Sequence, residues 1–304
     1  MPSLLSSRVP LWKLGSFLVG ISLLIGCNRS QEQVPIKDFA APPSANPINP
    51  VPQKQEPPPP PANSITALAG YVPSPKEFIR TKPPVKRVAL TFDAGSDDKG
   101  VDGILAELKK HNVHVTFFLT GQFCEKFPAA AKKIAEAGME IGNHSYSHPE
   151  FTKLDKDAIL EQLTKTDAII KKTCGAGTKP LFRFPFGARD KRTSAIVSEA
   201  GYQSIYWSVD SLDSIKPKKT ADYLAERVIE RLKDGGISLM HVSTEEAASA
   251  LAQIFAYLEE QGIQAVPISE LLLLDKVEKE KEEEMRLAKQ AKTKSADKES
   301  LPAR

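Results

Sequence analysis

Val88-Ala89-Leu90-Thr91-Phe92-Asp93-Ala94-Gly95 is a compact apolar, β-favouring run that ends on an acid. A strand with no polar face has to be covered on both sides, so this run predicts a buried strand of a parallel sheet. Its acid then falls at the carboxyl end, where the loops of an α/β sheet open onto a cleft. Downstream the pattern repeats. Ile104, Leu105 and Leu108 mark a helix that stops at Asn112, residues 114–119 read as a strand, and residues 127–137 read as a helix closed by Gly138. A short strand over 139–141 and a long helix capped by Asp155 follow. The second half predicts strands at 181–183, 204–209, 237–240 and 264–266, and helices at 193–200, 221–232 and 268–274. Ser243 and Glu246 have the spacing of a capping box ahead of the helix that carries Leu251, Ile254 and Leu258. Strands alternating with helices give an α/β fold with a parallel sheet. About seven such units favour a distorted (β/α) barrel of about seven parallel strands over an open doubly wound sheet. This domain is predicted over residues 85–275.

The flanks differ in composition. Arg8 and Lys13 precede an apolar run over 14–25 and then Gly26-Cys27. That run is shorter than the roughly 20 residues of a membrane span and suits a signal-peptide core over residues 1–26. Leu24-Ile25-Gly26-Cys27 resembles a bacterial lipobox, which predicts a lipidated Cys27, an exported protein and a membrane contact through that anchor. Residues 27–84 are proline-rich, with five prolines in a row at 57–61, and predict a disordered tether. In polyproline II its reach is on the order of 170 Å. Residues 276–304 are dominated by Lys, Glu and Ala and read as a solvated helix or a disordered tail.

The formal net charge of the 304 residues is +3, and removal of the leader with Arg8 and Lys13 brings it to +1. Nucleic-acid binding gains no support from that balance. A monomer is expected. Cys124 and Cys174 remain once Cys27 is lipidated, and their pairing is open because spacing does not give the distance between them.

The chemistry-bearing residues cluster in short segments that each follow a predicted strand: Thr91-Phe92-Asp93-Ala94-Gly95, His144-Ser145-Tyr146-Ser147-His148-Pro149, Arg183-Phe184-Pro185-Phe186-Gly187, Asp210-Ser211-Leu212-Asp213 and Leu239-Met240-His241. His144 and His148 share a face if the segment turns helically, and two imidazoles on one face are metal ligands in waiting. Together and in this order the five segments resemble the motifs of the polysaccharide deacetylase family, carbohydrate esterase family four, with its nodulation-type chitooligosaccharide deacetylase homology domain. The resemblance spans about residues 85–274. It implies a hydrolase that removes acetyl groups from an N-acetylated envelope polysaccharide, with peptidoglycan or a chitin-like N-acetylglucosamine glycan as the partner. It also implies one divalent metal ion, zinc or alternatively cobalt.

Residue by residue, the resemblance makes His144 and His148 metal ligands, Asp93 the base and Arg183 the group that orients it. His241 becomes the acid, backed by Asp213 in preference to Asp210. Phe186 lends its backbone N–H to the oxyanion, and Leu239 lines the acetyl pocket, with Trp207 or Tyr206 as a wall. The chain departs from the family pattern at Ala94, where the usual first motif has the third metal-ligand aspartate. Water, Asp97 or Asp98 is expected to complete the site if metal binds. The alternatives are an O-acetyl esterase of the acetylxylan type and a catalytically lapsed glycan-binding lipoprotein.

Overall fold

The structure is a computed structural model and describes residues 68–82 and 86–299. The predicted leader, the lipidated Cys27 and the tether up to residue 67 lie outside the described residues. Eight strands form one parallel sheet: β1 (Arg87–Ala94), β2 (Thr116–Leu119), β3 (Glu140–Asn143), β4 (Leu181–Phe182), β5 (Gln203–Ser204), β6 (Val209–Asp210), β7 (Ile237–His241) and β8 (Gln264–Ala265). Their order is β5-β4-β3-β2-β1-β7-β6, with β8 paired to the first two residues of β1. Seven strands thus curl into a half-barrel in chain order, as predicted, and the two end strands β5 and β6 are not paired with each other.

β1 sits at the centre because only a strand without a polar face tolerates neighbours on every side. β2 lies along one edge; β7 and β8 share the other. Alternation then sorts its side chains. Val88, Leu90 and Phe92 join the apolar layer under the helices, while Ala89 joins a second cluster that fills the barrel. Asp93 has the parity of Ala89 and so faces inward at the mouth.

The helices α1 (Val101–Lys110), α2 (Gly121–Lys126), α3 (Pro128–Glu136), α4 (Lys156–Cys174), α5 (Lys191–Glu199), α6 (Ala221–Arg231), α7 (Glu245–Glu260) and α8 (Ile268–Glu299) follow the strands in turn. α7 buries Ala247, Ala250, Leu251, Ile254, Phe255 and Leu258, one apolar stripe at helical spacing. α8 closes the bottom of the barrel. Ile268 and Leu271 enter the interior cluster, and the first amides of the helix donate to Thr116 Oγ1 at 2.9 Å and to Glu140 Oε2 at 3.2 Å. Those two bonds satisfy helix-terminal donors that would otherwise be buried without partners.

Several local expectations are corrected. The ordered body does not begin at residue 85: Leu68 and Phe78 are buried in the interior cluster. The Phe78 amide donates to the Ser204 carbonyl and its carbonyl accepts from Tyr206, both at 2.8 Å, and the Thr81 amide donates to Gly235 at 3.0 Å. This segment, here called the strap, runs from the end of β5 to the turn before β7. For the same reason 204–209 is not one strand: β5 and β6 are two-residue pieces on either side of a stretch that bonds to the strap. α2 was not anticipated, although Thr120 caps it by accepting from the Phe123 amide at 3.0 Å. The Ser243–Glu246 capping box is not made, since Thr244 occupies the N-cap and Glu246 pairs with Lys218 at 2.6 Å. The closing helix does not stop at 274 but continues through the charged segment, laced by pairs such as Lys279–Asp275 and Arg286–Glu283. Cys124 and Cys174 are free thiols.

Candidate active site

Asp93 is in register with His241 of β7 and Phe118 of β2, so three strands meet around one inward-facing carboxylate. Its Oδ1 accepts from Arg183 Nη1 at 2.7 Å, and its Oδ2 lies 3.3 Å from His144 Nε2. Burial pushes the acid up, but the charges of Arg183, His144 and His241 and the Arg183 hydrogen bond outweigh it, and the net pKa is lowered. Asp93 is therefore a carboxylate at neutral pH. Arg183 follows β4 and is fully buried; its Nε donates to the Ile205 carbonyl at 3.3 Å and its guanidinium lies 4.2 Å from the Phe118 ring centroid.

The two histidines do not sit on a helix. His144 directly follows β3, and the loop then turns through Ser145 and His148, both with left-handed backbone (φ 69° and 60°). Asn143 Oδ1 accepts the Ser145 amide at 2.9 Å, and Gln162 Oε1 accepts the Tyr146 and Ser147 amides at 2.9 and 3.0 Å. These bonds fold the segment back, so the rings come together, centroids 4.8 Å apart, by a different route from the one expected. His144 Nδ1 is 2.9 Å from the Arg183 carbonyl. A carbonyl only accepts, so Nδ1 carries the proton and the neutral ring keeps its Nε2 lone pair for the cleft. Burial depresses both imidazoles, His148 to about 4. Two neutral nitrogen donors, one oriented by a backbone carbonyl, fit a divalent ion.

The third place does not fit as well. Ala94 ends β1, fully buried among the apolar side chains under the helices, and its methyl coordinates nothing. Asp97 is turned to the surface and pairs with Lys99 at 2.9 Å. Among the described residues no group of three His, Cys, Asp or Glu side chains is placed to hold a metal.

His241 ends β7. Its Nδ1 lies 2.7 Å from Asp213 Oδ1, and its backbone amide donates to Asp213 Oδ2 at 2.7 Å. Ser211 Oγ also donates to that carboxylate, at 2.9 Å. Burial pulls His241 down, but the hydrogen bond and charge of Asp213, with the charges of Asp93 and Asp210, win, and its pKa is raised. Asp210 does not compete for the ring. Its Oδ1 accepts the Leu212 amide at 2.8 Å and fixes the turn in which Leu212 is left-handed.

Asp93, His144, His148 and His241 line a cleft of about 640 Å³ whose walls include Leu239, Trp207, Phe186 and Ile215. Trp207, rather than Tyr206, lines the cleft, with Tyr206 stacked behind it at 4.0 Å between centroids. Phe186 has φ 57°, is 67% exposed, and sets its ring edge-on to His148 at 4.4 Å. The next residue must be glycine: at Gly187 (φ 64°) a Cβ would come within 2.8 Å of both Tyr206 and Trp207. Ile215, half exposed at the rim, was missed; an isolated isoleucine in a lysine-rich loop was its only sequence signal.

An inward carboxylate, two uncharged imidazoles and a carboxylate-backed histidine at the mouth of a parallel half-barrel make this the scaffold of a hydrolase. The model of the polysaccharide deacetylase family matches residues 80–205. The peptidoglycan-N-acetylglucosamine deacetylase of Bacillus cereus is 34% identical over 196 residues, which cover 63% of this chain and 70% of that protein. Among solved structures, wild-type BA3943 of Bacillus anthracis, described as a pseudoenzyme of carbohydrate esterase family four, is 36% identical with a TM-score of 0.61, over 66% of this chain and 69% of that one. A BA3943 mutant described as having restored enzymatic activity matches with a TM-score of 0.62 at the same identity, over 66% and 72%. The chain belongs to the polysaccharide deacetylase family.

Proposed function

We propose that the protein is a metal-dependent deacetylase that removes acetyl groups from an N-acetylated envelope glycan of the peptidoglycan N-acetylglucosamine type. The observation that carries this reading is the pairing of Asp93 with His241 on adjacent strands, one held ionised and the other held toward its protonated form. Asp93 accepts a proton from water as the water oxygen adds to the acetyl carbon. Arg183 keeps the carboxylate oriented, and the family resemblance assigns the backbone N–H of Phe186 to the oxygen that gains charge. His241 donates its proton to the departing nitrogen as the C–N bond breaks, and Asp213 stabilises the imidazolium until that moment. Acetate and a free amine leave. Leu239 offers the apolar contact for the acetyl methyl. A zinc or cobalt ion held by His144 and His148 would polarise the acetyl carbonyl and acidify the attacking water.

The similarity to the Bacillus cereus deacetylase supports the glycan assignment. The apolar leader, Cys27 and the proline-rich segment of the sequence support an exported protein lipid-anchored on the cell-wall side of a bacterial membrane. A second reading, a glycan-binding protein on a lapsed scaffold, is favoured by Ala94 and by the likeness to a pseudoenzyme. Purified protein supplied with zinc or cobalt separates them. The enzyme reading expects near-stoichiometric metal and acetate release from N-acetylglucosamine oligomers or peptidoglycan; no metal uptake together with no acetate sinks it. Release from acetylated xylan alone would move the assignment to an O-acetyl esterase.

A further inference from the structure

Among the described residues, the stretch between β5 and β6 is bridged where the sheet should close only by the strap, at Phe78, yet it carries a cleft wall. Tyr206 and Trp207 lie in it; Trp207 packs against the interior cluster, with the Arg183 guanidinium 5.8 Å from its ring centroid, and the strap and a second arginine hold the pair from the other side. The Tyr206 amide donates to the Phe78 carbonyl at 2.8 Å. The Arg189 guanidinium lies 3.7 Å from the Tyr206 ring centroid, on the same aromatic pair that presents Trp207 to the cleft. Arg189 Nη1 donates to the Gly187 carbonyl at 2.7 Å, and its Nε donates to Glu77 Oε2 of the strap. One planar group therefore touches the strap, the aromatic wall and the turn that aims Phe186 at His148.

We infer that Glu77 and Arg189 are positioning residues of the cleft: through them the strap sets both the Trp207 wall and the left-handed Phe186 turn. A non-glycine residue at positive φ persists only where its surroundings over-determine it. Here the surroundings are the Gly187 carbonyl held by Arg189 and the ring pair that leaves Gly187 no room for a side chain. The rival view is an ordinary partly exposed ion pair between strap and loop. Such a pair does little for global stability, and it predicts no effect on Trp207.

Trp12 and Trp207 are the two tryptophans of the chain, so the full-length protein carrying Trp12→Phe reports on Trp207 alone. In that background Glu77→Gln and Arg189→Ala are expected to shift Trp207 emission to the red and to increase its quenching by acrylamide in the folded protein. Arg189→Lys, which keeps the charge but loses the planar fork, is expected to do the same. The kinetic arm rests on the deacetylase reading; the fluorescence arm does not. On N-acetylglucosamine oligomers the variants should lose about tenfold or more, mainly in kcat, as expected for a misplaced site. Metal content should be unchanged, because His144 and His148 are not touched. Trp207 emission and quenching like the parent in all folded variants overturns the inference, whether or not the melting temperature falls. Should the parent neither take up metal nor release acetate, the proposed function fails while Trp207 still decides this one. Arg189→Ala that does not fold leaves the decision to Glu77→Gln and Arg189→Lys, which read the same quantity.

Discussion

Two buried acids face the interior of the same barrel at opposite ends. At the floor, Glu140 opens β3, and its Oε2 accepts from the Thr116 hydroxyl at 2.6 Å and from the Ser269 amide. At the mouth, Asp93 gives one oxygen to Arg183 and leaves the other beside His144 Nε2 and the cleft. Floor and mouth differ in what the carboxylate is offered. A hydroxyl and an amide of the fold hold Glu140 Oε2 and make a joint there, whereas Asp93 has a cation on one oxygen and an open cleft beside the other, which makes it a reagent. Burial of an acid is common to both and so identifies neither.

The largest test of that contrast is Asp93→Asn. Turnover is expected to fall by about 10²–10⁴-fold, the scale of a lost general base, with bound metal unchanged. Retained activity in an acetate-release assay would move the base elsewhere. Glu140→Gln should do the reverse: kcat per folded molecule stays, and urea unfolding shows a loss of about 1–3 kcal/mol for a disturbed buried network. A catalytic defect there would erase the distinction between the two ends.

Ala94→Asp sharpens the mouth. Zinc affinity by calorimetry should rise by about tenfold or more, the scale on which even outer-sphere partners act. Without metal the variant should melt lower than the parent, because the new carboxylate is buried among apolar side chains, and zinc should restore it. Equal affinity in parent and variant would mean that the third position is already filled.

The smallest expected effect is in the pH profile. Asp93 is held below the usual carboxylate range and His148 falls to about 4, so activity is lost on the acid side only as these groups take up protons. His241 is raised, so its acid function persists above the ordinary histidine value of about 6.5 and disappears as pH climbs through the raised one. The stability contributed by its pairing with Asp213 has the same sign: present below the unfolded value and lost through the folded one. Asp213→Asn should move the alkaline limb of kcat/KM to lower pH. An unmoved limb would assign it to another group.

Much of the mouth was readable in advance because it rests on local rules. A continuous apolar run predicts β1 with Asp93 at its carboxyl end, and acids or histidines just past strands mark the cleft. Asp213 over Asp210 came from the family resemblance; in the structure Asp213 bonds the His241 ring and Asp210 is spent on its own turn. The route that joins His144 to His148 was misread: non-glycine residues at positive φ leave no compositional trace, and a four-residue spacing suggests a helix whether or not one forms. Asp97 and Asp98 looked available because a sequence does not show that Lys99 has claimed one of them. The strap was invisible for a further reason. Leu68 and Phe78 are solitary apolar residues in a proline-rich region, and their burial depends on a gap in the sheet that only the folded barrel creates.

The latch between Ile268 and Thr116 joins positions 152 residues apart. β1 likewise waits for β7 and β8, both from the last third of the domain, before its second edge is covered. A polypeptide emerging amino end first therefore presents its most apolar strand half-clad until nearly all of the domain has been made. Such long-range closure slows folding and leaves an interval in which a holding chaperone has something to grip.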